Sequence, residues 1–160
     1  MRKNEQGLAR NIPSKIKREV RLRCGCGCVI CGCMFYEYEH FDPPFVDCKS
    51  HNSEGITLLC GRHHSNKTRG FIPQSEIVKA NSSPYAKREK FWEEMYFDNK
   101  PPVIALGNNR SYCFRDILII NNKKILSVDP PEFKDSPYRI SAFFFDQENN
   151  PILSIDKNCF

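Results

Sequence analysis

The hydrophobic and polar positions change period several times along the first hundred residues. Pro13-Ser14 opens a run from Lys15 to Arg23 with apolar positions at 16, 20 and, less regularly, 22, which predicts a short basic helix. It should stop at Cys24-Gly25-Cys26-Gly27-Cys28, because glycine permits the positive φ of a tight turn. Residues 34–41, Met-Phe-Tyr-Glu-Tyr-Glu-His-Phe, are aromatic and partly alternating, as a strand is, and Asp42-Pro43-Pro44 ends them. A polar loop runs to Gly55. Ile56-Thr57-Leu58-Leu59 then leads into a helix over 60–69, capped by Gly70.

Residues 72–97 read as helical in two pieces, broken near Ser82-Ser83-Pro84, with Phe91, Trp92, Met95 and Tyr96 as an apolar packing face. Lys100-Pro101-Pro102 reads as a linker. Beyond it, residues 103–106, 112–120, 124–128, 140–145 and 152–155 are strand-like, separated by turn formers such as Gly107-Asn108-Asn109, Asn121-Asn122 and Asp146–Asn150. The expected class is therefore α+β. A domain over 1–98 carries flanking helices, and a small antiparallel β appendage occupies 101–160.

Composition narrows the field. With 160 residues, 40% hydrophobic and 27% charged, the chain is an ordinary globular one, and no apolar run approaches the roughly 20 residues that span a bilayer. The polar start lacks the apolar core of a secretory signal, so a reducing cytoplasm is expected and disulfides are not. The net charge of +5 is uneven. Arg2, Lys3, Arg10, Lys15, Lys17, Arg18, Arg21 and Arg23 face only Glu5 and Glu19 within residues 1–23, a density that suits a phosphate-contacting surface or a solvated helix.

Nine cysteines are many for such a chain, and five crowd into residues 24–33, too close to pair with one another. Cys28-Val29-Ile30-Cys31 and, after 28 intervening residues, Cys60-Gly61-Arg62-His63 form two half-sites with the spacing of a tetrahedral structural zinc. Four protein ligands leave no open position for water, so this zinc should hold the fold and do no chemistry. Buried free thiols are the alternative, and Cys24 could ligate instead if the knuckle is shifted. Cys26, Cys33, Cys48, Cys113 and Cys159 have no assigned role.

Glu39-His40 lies between the half-sites and His64 directly after the second. Successive helical residues turn by about 100°, so His63 can face a zinc while His64 looks elsewhere. A carboxylate from the strand and an imidazole from the helix can together hold a hard divalent ion such as Mg²⁺ or Mn²⁺. His40, with an ordinary pKa of about 6.5, can take a proton from water at neutral pH. It points to the opposite pleat from Glu39 unless the strand bulges or ends there. Lys67, Arg62, Arg69 and the basic helix, through Lys15, Lys17, Arg18 and Arg21, would grip phosphates for affinity without sequence choice. Taken singly, His40 is more often a packed histidine and Lys67 a surface lysine; it is their joint placement that suggests chemistry.

These residues, Cys28-Val-Ile-Cys31-Gly, Tyr36 to His40, and Ile56-Thr-Leu-Leu-Cys60-Gly-Arg-His63-His64-Ser-Asn-Lys67-Thr, resemble the HNH endonucleases, the ββα-metal or His-Me finger nucleases, in the bacterial subset framed by a four-ligand zinc. The resemblance covers about residues 10–70. It implies zinc at Cys28, Cys31, Cys60 and His63, a catalytic divalent ion at Glu39 and His64, a general base at His40, and cleavage of DNA leaving 5′-phosphate ends, RNA remaining an alternative substrate. Glu39 stands where many members have aspartate, and His63 where many have a fourth cysteine. The middle asparagine is missing: Gly55 occupies its place, and Asn52 or Ser53 in the loop would have to orient the base instead.

Two further readings follow. A non-catalytic zinc module that binds nucleic acid or protein is the alternative to a nuclease. A nuclease with little sequence-reading apparatus would also need restraint, which suggests the effector of a restriction or anti-phage system held by a regulatory partner on the C-terminal β region.

Overall fold

A computed structural model of the chain describes residues 3–89, 103–112 and 115–160. The chain divides into two compact units, Met1–Glu94 and Met95–Phe160. Both helices and antiparallel sheets are present, as expected of an α+β chain.

In the first unit, α1 (Ser14–Cys24) ends at Gly25, whose φ of +74° lets its N–H turn back to the Arg21 carbonyl. Val20 and Cys24 are buried and Leu22 is exposed, so the inner stripe runs through 20 and 24 rather than 22. Strands β1 (Glu37–His40) and β2 (Ile56–Leu59) pair antiparallel, with Glu37 opposite Leu59 and His40 opposite Ile56. β1 is shorter than the expected 34–41 because its partner has four residues before Cys60 leaves to start the next helix. Met34 and Tyr36, at 2% and 1% exposure, are core residues ahead of the strand.

All four β2 residues are buried, with α1 packed on this strand and α2 (Gly61–Thr68) against both strands. Burying Ile56, Leu58 and Leu59 contributes about 1.5–3 kcal/mol each. Cys60 precedes the first turn of α2, and Gly70, with φ +78°, closes its far end by donating to the Lys67 carbonyl at 3.0 Å. Between the strands lies a short 3-10 turn (Phe45–Asp47), and the Asp42–Pro43 peptide is cis.

The helices α3 (Gln74–Ser82) and α4 (Tyr85–Glu89) are interrupted at Ser83-Pro84 and bury Ile77 and Ala86. The expected apolar face of Phe91, Trp92, Met95 and Tyr96, and the linker at Lys100-Pro101-Pro102, lie outside the described residues. In the second unit, β3 (Ile104–Leu106) pairs with β4 (Asn109–Ser111), so Asn109 opens a strand instead of completing the turn expected over Gly107-Asn108-Asn109. β5 (Arg115–Ile120), β6 (Lys123–Asp129), β7 (Arg139–Phe145) and β8 (Pro151–Ile155) form an antiparallel meander. Asn121 and Asn122, both at positive φ, make the β5–β6 hairpin turn, a geometry asparagine tolerates.

Candidate functional site

The knuckle before β1 is tightened by two backbone bonds: the Cys28 N–H donates to the Cys33 carbonyl at 2.9 Å and the Gly32 N–H to the Cys28 carbonyl at 2.8 Å. This turn and the start of α2 carry Cys28, Cys31, Cys60 and His63, whose donor atoms all lie within 4.8 Å of one another. Nδ1 of His63 is 3.4 Å from the Cys28 sulfur and 3.2 Å from that of Cys60, and the Cys31 and Cys60 sulfurs are 3.9 Å apart. A tetrahedral zinc, with Zn–S of about 2.3 Å and Zn–N of about 2.0–2.1 Å, requires S···S near 3.8 Å and S···N near 3.5 Å. The set therefore fits a closed metal site. Hydrogen bonds from Cys28, Cys31 and Cys33 hold the Cys60 thiol well below its ordinary pKa, and Cys31's own bonds to Cys28 and then Cys60 push its thiol up. Cys24 and Cys26 stand apart: the Cys24 sulfur lies 3.9 Å from the Thr57 hydroxyl and from Asn81, and Cys26 is bonded to the Arg21 carbonyl. The shifted knuckle is thus not the arrangement formed.

One residue along α2, His64 turns to the strands. Its Nε2 is 2.9 Å from a Glu39 carboxylate oxygen, and its Nδ1 is 3.8 Å from Glu37. The second Glu39 oxygen accepts from the Lys67 ammonium, one turn further along the helix. Two ligands placed cis on an octahedral ion at about 2.1 Å stand about 3.0 Å apart. The Glu39–His64 pair stands at that separation, which is equally that of the direct hydrogen bond the two make, and Lys67 supplies the positive charge beside the carboxylate.

His40 closes β1 without a bulge, so its side chain alternates from that of Glu39. At 7% exposure it packs against the Phe45 ring, centroids 5.2 Å apart. Burial above all, then His51, lowers its pKa from 6.5 to about 4, with Arg10 and Lys67 adding to the effect and Glu39 opposing it. The ring is neutral at physiological pH.

The group that holds His40 is His51, which the sequence reading did not single out. Nε2 of His40 is 2.9 Å from Nδ1 of His51, and Nε2 of His51 is 3.0 Å from the Ala9 carbonyl oxygen. Asn52, expected to orient the base, does not: it is exposed and its Oδ1 accepts the Glu54 N–H at 3.1 Å, closing a local turn. Ser53 contributes its carbonyl to Arg23. One sign was available. Of the chain's four histidines, three had been given roles, and His51 was the fourth.

The basic residues divide. Lys15, Arg18, Arg62 and Arg69 are exposed. Arg21 donates to the Tyr38 hydroxyl at 2.7 Å, and Lys17 lies over the Tyr38 ring. Arg23 is internal: it donates to Asn81 at 2.6 Å, to the Ser53 carbonyl at 2.8 Å and to the Ile56 carbonyl, tying α1 to the start of β2 and to α3. Arg10, exposed, stacks over Phe45 at 5.7 Å. Among the described residues no helix is long and apolar enough to cross a membrane.

Comparison with family models, with curated proteins and with solved structures finds no match to this chain.

Proposed function

We propose that the first unit is a divalent-ion-dependent endonuclease that hydrolyses DNA phosphodiester bonds, with His40 as general base and Glu39 and His64 as ligands of the ion. The observation that carries this reading is the splitting of two adjacent histidines: His63 is buried in the cysteine cluster while His64 meets the carboxylate of Glu39, the residue before the desolvated His40, at 2.9 Å. The bound ion would stabilise negative charge on the phosphate and leaving oxygen. His40, neutral at pH 7, accepts the proton of the attacking water. Its weak basicity is the cost of desolvation. Zinc at Cys28, Cys31, Cys60 and His63 fixes the turn before β1 to the start of α2, and so sets the spacing of Glu39 from His64. Arg10, Arg62 and Arg69, with Lys15 and Arg18 on α1, supply phosphate contacts that position the backbone in line.

Purified protein should nick plasmid DNA with Mg²⁺ or Mn²⁺, and His40→Ala should abolish nicking while zinc content stays the same. Failure across several divalent ions would count decisively against the proposal. A second reading has one observation in its favour: Lys67 already neutralises Glu39, so the trio of Glu39, His64 and Lys67 is electrically satisfied without an ion, as in a module that only binds. It would leave nucleic-acid binding intact in His40→Ala and His64→Ala and show no ion-dependent cleavage by the wild type.

A further inference from the structure

Between the candidate base and the chain's N-terminal turn runs a line of hydrogen bonds whose directions can be assigned. A carbonyl oxygen only accepts, so the 3.0 Å contact between Ala9 and His51 puts a hydrogen on Nε2 of His51. With its single ring hydrogen placed there, Nδ1 of His51 is the acceptor in the 2.9 Å contact, and His40 donates from Nε2. The remaining nitrogen, Nδ1 of His40, is left with its lone pair free. It takes no hydrogen bond among the described residues. It is not sealed from solvent either, since Arg23 Nε is the one buried, unpartnered side-chain nitrogen or oxygen among them.

The carbonyl at the head of this line is itself held in place. Asn4 uses all of its side-chain capacity on the turn and on the loop beneath it. Its amide donates to the Phe45 carbonyl at 2.6 Å and the Cys48 carbonyl at 2.7 Å, and its Oδ1 accepts the Gln6 and Leu8 N–H groups at 3.1 and 2.8 Å. Gly7, at φ +79°, and a bridge between Lys3 and Ala9 complete the turn. Ala9 is thereby fixed against the loop that carries His51.

We propose that His51 is the positioning residue for the base, and that the N-terminal turn, through the Ala9 carbonyl, locks His40 in the tautomer that leaves Nδ1 to receive the water proton. This deepens the nuclease reading and rests on it for its catalytic consequence, while the tautomer itself is independent of any activity. The role the motif's asparagine would fill from position 55 is met from another part of the sequence. An imidazole with its own backbone acceptor fixes not only the plane of His40 but which nitrogen carries the hydrogen.

The test reads the tautomer directly, by two-bond ¹⁵N–¹H correlation spectra of the imidazoles in the full-length zinc-loaded protein. His40 should show a protonated Nε2 and a bare Nδ1 in the wild type. His51→Ala should mix the two tautomers and lower kcat about 100-fold with KM and zinc content little changed. His51→Asn, which restores a side-chain acceptor, should recover at least a tenth of the rate. Asn4→Ala, which touches neither histidine, should mix the tautomers in part and lower kcat a few-fold. A wild-type His40 protonated at Nδ1 overturns the proposal, as does an unchanged kcat in His51→Ala. If the wild type cuts nothing but the spectra are as described, the nuclease reading falls and the lock stands.

Discussion

A Cβ on Gly55 would lie 2.0 Å from the backbone carbonyl oxygen of Asp42. The approach is forced by the turn beyond β1, where the N–H groups of Phe41 and Asp42 both point at the Gly55 carbonyl, at 3.0 and 3.3 Å. No side chain fits there unless the backbone shifts. The glycine at 55, where the resemblance to HNH nucleases would put an asparagine, is thus required by the packing of this hairpin, and placing asparagine there should not give a better site. Gly55→Asn is expected to cost about 2–4 kcal/mol in chemical denaturation and to reduce any cleavage activity. Equal or higher stability would show that the turn relaxes freely.

The cysteine cluster makes a prediction that does not depend on the reaction. One zinc per chain should be found by metal analysis, and Cys60→Ser or His63→Ala should lose it together with the cooperative unfolding of the first unit. Cys24→Ala and Cys26→Ala should keep full zinc, because those sulfurs are bonded to Thr57, Asn81 and the Arg21 carbonyl instead. His63→Cys should also keep it, since sulfur is an equally good fourth ligand. Zinc loss in Cys24→Ala alone, with Cys60→Ser retaining metal, would reassign the ligand set.

What could be read along the chain was what depends on near neighbours. Cys28 and Cys31 sit on one tight turn, Cys60 and His63 on one helical turn, and His63 and His64 are parted by the helix's own rotation. Each relation needs at most four residues. The orientation of His40 was not of that kind. It depends on His51, in a loop with no periodicity, and on Ala9, 42 residues away from His51 in sequence, a pairing made only by the tertiary fold. The basic segment divided for the same reason. Its spacing showed a cationic helix, but only the packing of α1 on β2 and α3 turns Arg23 inward and leaves Lys15 and Arg18 outside. The short β1 likewise reflects its partner: β2 offers four residues, so their ladder runs only from Glu37 to His40, and Phe41 bridges to Pro44 instead.

Stability should depend on His40 through pH in a definite direction. Burial lowers its pKa from 6.5 to about 4, so on acidification the unfolded chain takes up a proton first. The unfolded state then binds more protons between those values. The stability that rests on a neutral His40 is complete above about pH 6.5, falls as pH drops through the window, and levels off below about pH 4. The loss is bounded at roughly 3 kcal/mol. His40→Gln lacks the titrating ring and should show a flatter curve over the same range. Acid release of zinc affects both proteins and cancels in the difference. Parallel urea-denaturation curves at about pH 7 and 5 would mean that the ring is not desolvated.

On the proposed reading, Lys67 should separate ion binding from nucleic-acid binding. Its ammonium sits on the Glu39 carboxylate, where it opposes the approach of a dication and yet lies close to where a phosphate would be held. Lys67→Met should therefore tighten Mn²⁺ binding, measured calorimetrically, by about 5–10-fold, because removing one neighbouring positive charge is worth on the order of 1 kcal/mol at a partly buried site. The same variant should bind DNA more weakly. Lys15→Ala with Arg18→Ala should weaken DNA binding too, and lower the slope of log affinity against log salt by up to about 2, but it should leave Mn²⁺ affinity untouched, since both residues are exposed on α1. Mn²⁺ affinity that falls in Lys67→Met would mean that the lysine does not compete with the ion, and that Glu39 belongs to a salt bridge rather than to a metal site.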